Sequence, residues 1–280
     1  MREVAIVGAG ELGGLIAHAV ARQDAADVVR LVDEAGRVAE GKALDIAQAA
    51  PVEGFAAAVS GSTDIATATS ADIIVFADRA AGGDWQGDDA LSMMRRMRAV
   101  APRALVICAG LNHRELVHRS ARELHVPRSR IVGSAAEAFA AAARAIVALE
   151  LDVSPREVAL SVLGVPPGAI VIAWEDATVS GLGLREMISD PVRRRLTRRI
   201  GALWPVGPYA LASAACKVID ASAAGSRRPV ICFVAPEDAP GVSTRTAALP
   251  VRLGSEGITE VIRPPLSAAE RIALENAMLL

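Results

Sequence analysis

Short runs of consecutive apolar residues recur through the first half of the chain, and stretches with apolar residues at helical spacing separate them. Such runs are typical of strands that are buried on both faces of a parallel sheet. Strands that alternate with helices predict a doubly wound parallel sheet of the α/β class, and Pro51 is expected to end the second helix. The predicted elements are strands at 4–7, 28–32, 55–59, 71–77, 104–109 and 130–132 and helices at 12–22, 37–50, 90–100 and 111–124.

The second half of the chain follows a different pattern. Two neighbouring apolar runs resemble the strands of a hairpin, and an alanine-rich stretch before them predicts a buried helix. The predicted elements are helices at 135–149, 191–203 and 208–221 and strands at 158–163, 170–174, 230–234 and 248–253. This order predicts a smaller α+β domain. We place the first domain at residues 1–138 and the second at residues 139–280, without a flexible linker.

The first predicted strand leads directly into a Gly-x-Gly-x-x-Gly motif, and a helix follows. In a dinucleotide-binding turn the first glycine allows the tight bend, the second allows backbone to approach a pyrophosphate, and the third allows the helix to pack closely on the strand. The unpaired N–H groups at the helix N-terminus favour the phosphates. An ordinary glycine-rich turn is the alternative interpretation. The cofactor-binding residues predicted by this motif are Gly8, Ala9, Gly10, Glu11, Leu12 and Gly13.

Asp33 follows the second predicted strand, about 20 residues after the glycines. A carboxylate at this place can accept hydrogen bonds from the ribose hydroxyls of the cofactor. It would also repel a 2′-phosphate. The sequence therefore predicts that Asp33 binds the cofactor and that the cofactor is NAD rather than NADP. We name the first domain a dinucleotide-binding domain on these grounds.

Composition and charge narrow the classes of function. The 280 residues carry a formal net charge of −2, which gives no electrostatic reason to expect nucleic acid or an anionic membrane as a partner. The three cysteines lie far apart and lack metal-ligand spacing, so we expect neither a metal site nor a disulfide framework. Neither a signal peptide nor an apolar stretch long enough to span a bilayer is recognisable. A cytoplasmic protein is the simplest interpretation.

Several strings resemble the lactate/malate dehydrogenase family, closest to its malate dehydrogenase branch, and the match runs nearly end to end. The resemblance implies a Rossmann-type doubly wound parallel sheet, the family's smaller α+β substrate domain, NAD as cofactor, and a homo-oligomer that is a dimer or tetramer. The matching strings are Gly-Lys-Ala-Leu-Asp-Ile at 41–46, Pro-Val-Glu-Gly-Phe at 51–55, Ser-Ala-Asp-Ile-Ile-Val at 70–75, Ala-Pro-Arg-Ala at 101–104, Pro-Arg-Ser-Arg-Ile-Val-Gly at 127–133, Gly-Ile-Thr-Glu-Val-Ile at 257–262 and Pro-Leu-Ser at 265–267.

The residues that carry the family's chemistry are missing from the positions that the resemblance assigns to them. The family uses a histidine as acid and base, an aspartate that holds the histidine, and arginines that bind and orient the substrate. All four histidines of this chain precede residue 126, so no shift of the alignment supplies one. We therefore name no catalytic residue. The residues at these positions are Pro166 for the histidine, Phe139 and Ala142 for the aspartate and arginine of one helix, and Ala81 and Gly87 for two loop arginines.

Two main hypotheses for the function remain open. The first is a catalytically silent relative of malate dehydrogenase that binds NAD(H) and acts as a sensor, scaffold or regulatory subunit. The second is an NAD-dependent oxidoreductase that acts on a different small substrate with rearranged residues. Candidates for those residues are Arg79, Asp84, His113 and Glu137. A purely structural protein with a vestigial glycine motif is a third and weaker alternative.

Overall fold

A computed structural model of the chain describes residues 2–224, 228–237 and 244–280. The helices, numbered in chain order, are α1 (Glu11–Arg22), α2 (Gly36–Glu53), α3 (Gly87–Val100), α4 (His113–Glu123), α5 (Ala135–Leu151), α6 (Leu184–Met187), α7 (Asp190–Gly201), α8 (Pro208–Ala224) and α9 (Ala268–Ala277). The strands are β1 (Glu3–Val7), β2 (Val28–Val32), β3 (Ala58–Ser62), β4 (Ile73–Phe76), β5 (Leu105–Cys108), β6 (Ile131–Gly133), β7 (Val158–Ala159), β8 (Val162–Val165), β9 (Ala169–Ile172), β10 (Thr178–Val179), β11 (Leu182–Gly183), β12 (Val230–Val234), β13 (Ala247–Gly254) and β14 (Gly257–Val261).

The first six strands form a parallel sheet in the order β3-β2-β1-β4-β5-β6. This order, with helices on both faces, is that of the doubly wound dinucleotide-binding fold. The sheet then continues through antiparallel strands. Strand β12 pairs with both β6 and β13, and β13 also pairs with β8 and β14. A small second sheet contains β7, β10 and β11. The predicted α/β class, a Rossmann-type sheet followed by a smaller α+β part, is confirmed.

The central strand β1 is buried along its whole length, and its side chains alternate between two cores. Val4 and Ile6 pack into the core that also contains α1, α5 and α8. Ala5 and Val7 pack into the core under α3 and α4. Both faces of the strand are therefore apolar, which explains why it is a continuous hydrophobic run without the alternation of a half-exposed strand.

Several sequence-based element boundaries were wrong, and two of them have a plain physical reason. Helix α2 continues through Pro51 to Glu53 and ends at Gly54, whose φ of +82° is the left-handed conformation that closes many helices. Strand β3 lies at 58–62 and not at 55–59, because it is an exposed edge strand that does not need an apolar sequence, whereas Phe55 is buried in the core. The predicted domain boundary between residues 138 and 139 lies inside α5 and stays a prediction.

None of the helices in the described parts of the chain is long and apolar enough to cross a membrane. The thiols of Cys108, Cys216 and Cys232 are buried and unpaired. Burial raises the pKa of the Cys216 thiol to about 11. Among the described residues, no group of three or more histidine, cysteine, aspartate or glutamate side chains could hold a metal ion.

Candidate functional site

The turn between β1 and α1, residues 8–13, is called the glycine loop below. Gly8 has a φ of +114°, and a Cβ at this position would overlap the carbonyl oxygen of Asp78. A Cβ on Gly13 would overlap the carbonyl oxygen of Gly8, so α1 packs directly against the end of β1. Glycine is therefore required at both positions by the path of the backbone. The tight turn and close helix packing that the motif predicts are both present.

The N-terminus of α1 receives its partner from another strand. The N–H groups in the first turn of a helix have no acceptor within the helix. The N-cap residue of α1 is Gly10, which has no side chain that could supply one. Asp78, which follows β4, accepts a hydrogen bond from the N–H of Gly13 through Oδ1 at 2.9 Å. Sequence analysis did not identify Asp78. The sequence held no local signal for it, because Asp78 meets Gly13 only through the pairing of β1 with β4, whose carboxyl ends lie at one edge of the parallel sheet.

Asp33 lies at the carboxyl end of β2, as predicted, and is only 5% exposed. Its Oδ2 accepts hydrogen bonds from the N–H groups of Ala9 at 2.8 Å and of Ala80 at 2.9 Å. Its Oδ1 accepts a third from Ala35 at 2.8 Å. The carboxylate thus holds the glycine loop to β2 and also to the segment that follows β4.

The segment after β4 folds into a short hairpin of residues 78–84, called the β4 hairpin below. Asp78 and Asp84 pair across it, and the N–H of Arg79 donates to the carbonyl of Gly83 at 3.0 Å. The guanidinium of Arg79 lies 5.3 Å from the ring centroid of the buried Trp85, within the range of a cation–π contact. These contacts shape the hairpin, and the bonds of Asp78 to Gly13 and of Ala80 to Asp33 hold it at the carboxyl edge of the sheet.

His113 begins α4 beside this hairpin and is fully buried. Its Nδ1 accepts a hydrogen bond from the N–H of Gly110 at 2.9 Å, so the neutral ring carries its proton on Nε2. Burial lowers the pKa of His113, and the charges of Asp84 and Asp78 oppose that shift. Asp84 itself accepts hydrogen bonds from the backbone and side-chain amides of Asn112, both at 3.2 Å. The structure therefore brings Asp84 and His113 together, but leaves His113 neutral and enclosed.

We expect the free energy of unfolding to fall as the pH drops below about 6.5, the ordinary pKa of histidine. Because burial lowers the pKa of His113 in the folded state, the unfolded chain binds the proton more readily, and stability rises with pH. One such group contributes at most about 1.4 kcal/mol per pH unit. Urea unfolding at pH 5.5 and 7.5 measures the slope. The His113→Gln variant should show a shallower slope, and an unchanged slope would contradict the assignment.

Glu137 and Arg144 lie on α5, two residues away from Phe139 and Ala142. The side chain of Glu137 is 2% exposed and forms an ion pair with Arg144. Its Oε1 also accepts from Lys217 Nζ at 2.6 Å, and its Oε2 accepts from the N–H of Ile231 at 2.7 Å. Glu137 therefore ties α5 to α8 and β12. All of these contacts are internal to the protein.

Apolar side chains occupy the positions to which the resemblance assigns catalytic groups. The ring of Phe139 is fully buried and meets Trp204 edge to face, with the ring centroids 5.6 Å apart and an interplanar angle of 87°. Pro166 lies in the turn between β8 and β9, and Ala142 is half-buried on α5. Ala81 lies in the β4 hairpin, and Gly87 begins α3. None of these five residues has a side-chain group that can accept or donate a proton.

A parallel sheet with a glycine loop after its central strand and an antiparallel continuation defines a Rossmann-type dinucleotide-binding fold. No protein-family profile matches the chain. The malate dehydrogenase of Thermomicrobium roseum is 29% identical to it, over 99% of this chain and 94% of that protein. A malate dehydrogenase of Dehalococcoides mccartyi is 28% identical, over 98% of this chain and 95% of that protein.

Solved structures agree with these sequence likenesses. The malate dehydrogenase from Salinibacter ruber superposes with a TM-score of 0.87 at 25% identity, over 99% of this chain and 94% of that chain. A lactate dehydrogenase from Cryptosporidium parvum, solved with lactic acid and nicotinamide adenine dinucleotide, shares the fold with a TM-score of 0.87 at 22% identity, over 99% and 94% of the two chains. The chain is thus similar in sequence to malate dehydrogenases over nearly its whole length, and it shares the fold of malate and lactate dehydrogenases.

Proposed function

We propose that this protein is a malate/lactate dehydrogenase-like protein that binds NAD(H) and is catalytically silent towards 2-hydroxy acids. The observation that carries the cofactor part is the hydrogen bond from Ala9 to Asp33, which joins the glycine loop to the acid at the end of β2. The glycine loop and Asp33 lie together at one edge of the sheet, which supports a dinucleotide-binding site there. The similarity to malate dehydrogenases over nearly the whole chain supports the same proposal.

The backbone of the glycine loop fits a dinucleotide. At Gly8 and at Gly13 a Cβ would overlap main-chain atoms, so only glycine allows this path of the backbone. The N–H groups in the first turn of α1 point out of the helix end, where phosphates bind. The loop residues Gly8 to Gly13 would hold the pyrophosphate, and Asp33 would hold a ribose. Bound NAD(H) would supply the capacity for hydride transfer. The carboxylate of Asp78, which accepts a hydrogen bond from the N–H of Gly13, carries a charge that opposes this ligand.

The side chains at the assigned positions support catalytic silence. Reduction of a 2-oxo acid needs a group that donates a proton and cations that orient the carboxylate. Pro166 cannot titrate, and Phe139 packs against Trp204. Loss of a positioned acid or base alone costs about 10²- to 10⁴-fold in rate. Loss of the carboxylate-binding arginines removes orientation as well, so the combined loss approaches inactivity.

The test has two stages. Titration of the protein into NADH, followed by nicotinamide fluorescence, should show saturable binding. Spectrophotometric assays with malate, oxaloacetate, lactate and pyruvate should then give rates at least about 10⁴-fold below those of an active malate dehydrogenase run in parallel. Absence of binding at millimolar NADH would overturn the cofactor proposal, and family-like turnover would overturn the silence.

A second candidate function is an NAD-dependent oxidoreductase that acts on another small substrate. The observation that favours it is the placement of the Asp84 carboxylate beside the fully buried imidazole of His113. A panel of aldehydes and ketones tested with NADH separates the two candidates. Turnover of one compound that disappears in the His113→Gln variant, while NADH still binds, would favour this second function.

The assembly of the protein is proposed on the resemblance, and its location on the three cysteines, which form no disulfide. We propose a homo-oligomer, dimer or tetramer, in the cytoplasm. Neither nucleic acid nor a membrane is proposed as a partner, because the net charge of −2 gives no electrostatic attraction to either.

A further inference from the structure

Asp78 is held under the glycine loop by both its main chain and its side chain. Its carbonyl oxygen accepts a hydrogen bond from the N–H of Gly10 at 3.0 Å, and its Oδ1 accepts from the N–H of Gly13 at 2.9 Å. A Cβ on Gly10 would overlap the carboxyl group of Asp78. The carboxylate therefore lies directly against the backbone that the dinucleotide motif provides.

This placement changes the electrostatics of the helix end. The N-terminus of a helix carries about half a positive charge, and its unpaired N–H groups are the usual partners of a phosphate. In this chain one of those N–H groups, that of Gly13, already bonds to an internal carboxylate. A pyrophosphate that approached the same helix end would meet a nearby negative charge, and two like charges repel strongly in a partly buried site.

The same segment also engages the second part of the proposed cofactor site. Ala80, two residues after Asp78, donates its N–H to Asp33 at 2.9 Å. Ala9 and Ala35 already donate to that carboxylate, which has about four acceptor positions in all. Three of them are therefore used within the protein. A ribose diol would compete with Ala80 for Asp33.

A cation also lies close to the glycine loop, and its charge attracts the phosphates that the Asp78 carboxylate repels. Lys42 on α2 donates from its Nζ to the carbonyl of Gly10. Its charge attracts an anion towards the glycine loop, so the loop is not closed to phosphates altogether.

We propose that residues 78–80 act as an internal competitor of the dinucleotide, with the Asp78 carboxylate in place of a phosphate at the N-terminus of α1. Asp78 is thus a residue that sets the affinity for the cofactor. The proposal rests on the proposed function, because competition presupposes a dinucleotide site. It also explains how this chain can weaken the binding of a cofactor at its own glycine loop.

The Asp78→Asn variant tests this proposal. Asparagine keeps the size of the side chain and an oxygen that can accept from Gly13, but it removes the charge. We expect the Kd for NADH to fall by at least about tenfold. The matched control is Asp88→Asn, which removes the same charge from the first turn of α3, where the Asp88 side chain is 93% exposed. Its Kd should stay within about twofold of the parent, because exposed charges are screened.

The outcomes separate this proposal from the proposed function. Tighter NADH binding by Asp78→Asn than by the parent and the control supports it, including the case in which only the variant binds measurably. Equal binding by all three proteins overturns the competitor role and leaves the NAD(H) site standing. Absence of binding in all three, and in a second variant, Asp78→Gly, with thermal unfolding confirming that each is folded, overturns both.

Discussion

Replacement of Gly13 by alanine is expected to lower the free energy of unfolding by about 3 kcal/mol and to abolish NADH binding. The new Cβ would overlap the carbonyl oxygen of Gly8, a main-chain atom at the end of the central strand. Relief of that overlap requires α1 to move away from β1, since neither atom belongs to a flexible side chain. The glycine loop would then lose the shape that a pyrophosphate needs. Urea unfolding and NADH fluorescence measure the two effects.

Two other helical glycines supply matched controls. A Cβ on Gly14 would lie 3.3 Å from Lys42 Cδ, in a flexible side chain that can move aside. A Cβ on Gly41 of α2 would meet nothing within 4 Å. Alanine at either position should stabilise the protein by about 0.5 to 1 kcal/mol through its higher helix propensity. A Gly13→Ala variant as stable as Gly14→Ala would refute the close packing of α1 on β1.

Replacement of Glu137 by leucine is expected to lower the free energy of unfolding by about 3 kcal/mol. The change would leave Arg144 and Lys217 without their shared carboxylate and the N–H of Ile231 without its acceptor. Removal of one partner from a buried network costs more than the network itself contributes, because the other groups stay desolvated. Lys217 is half-exposed and recovers its hydration, so the loss comes mainly from Arg144 and the backbone N–H. Thermal or urea unfolding measures it.

The control for this variant lies on the same helix. Glu150 also forms ion pairs with two arginines, Arg195 and Arg199, but both arginines are about half exposed. Its replacement by leucine should cost less than about 1 kcal/mol, as is usual for exposed pairs. Equal losses at residues 137 and 150 would contradict a structural role for the buried network. If instead the Glu137→Leu variant kept its stability but lost turnover, Glu137 would belong to an active site.

The sequence by itself determined the class of fold and the position of the glycine loop. The apolar runs that predict buried strands and the glycines that predict the turn are local signals, because each reflects the backbone conformation or burial of its own segment. Asp33 was predicted for the same reason, since it directly follows a strand at the spacing of the motif. The absence of histidine after residue 126 is likewise visible without any structure.

Only the tertiary structure decided what the carboxylates near the glycine loop do. Asp78 lies 65 positions after Gly13 in the chain and reaches it because the sheet order places β4 beside β1. Glu137 likewise meets Lys217 and Ile231 across 80 and 94 positions. Hydrophobic patterning determines which face of a strand is buried, but it carries no information about which distant polar groups share one edge of the sheet. Which polar groups meet there follows from strand order and packing. As a result, the glycine loop of the folded protein already donates a hydrogen bond to a carboxylate, that of Asp78.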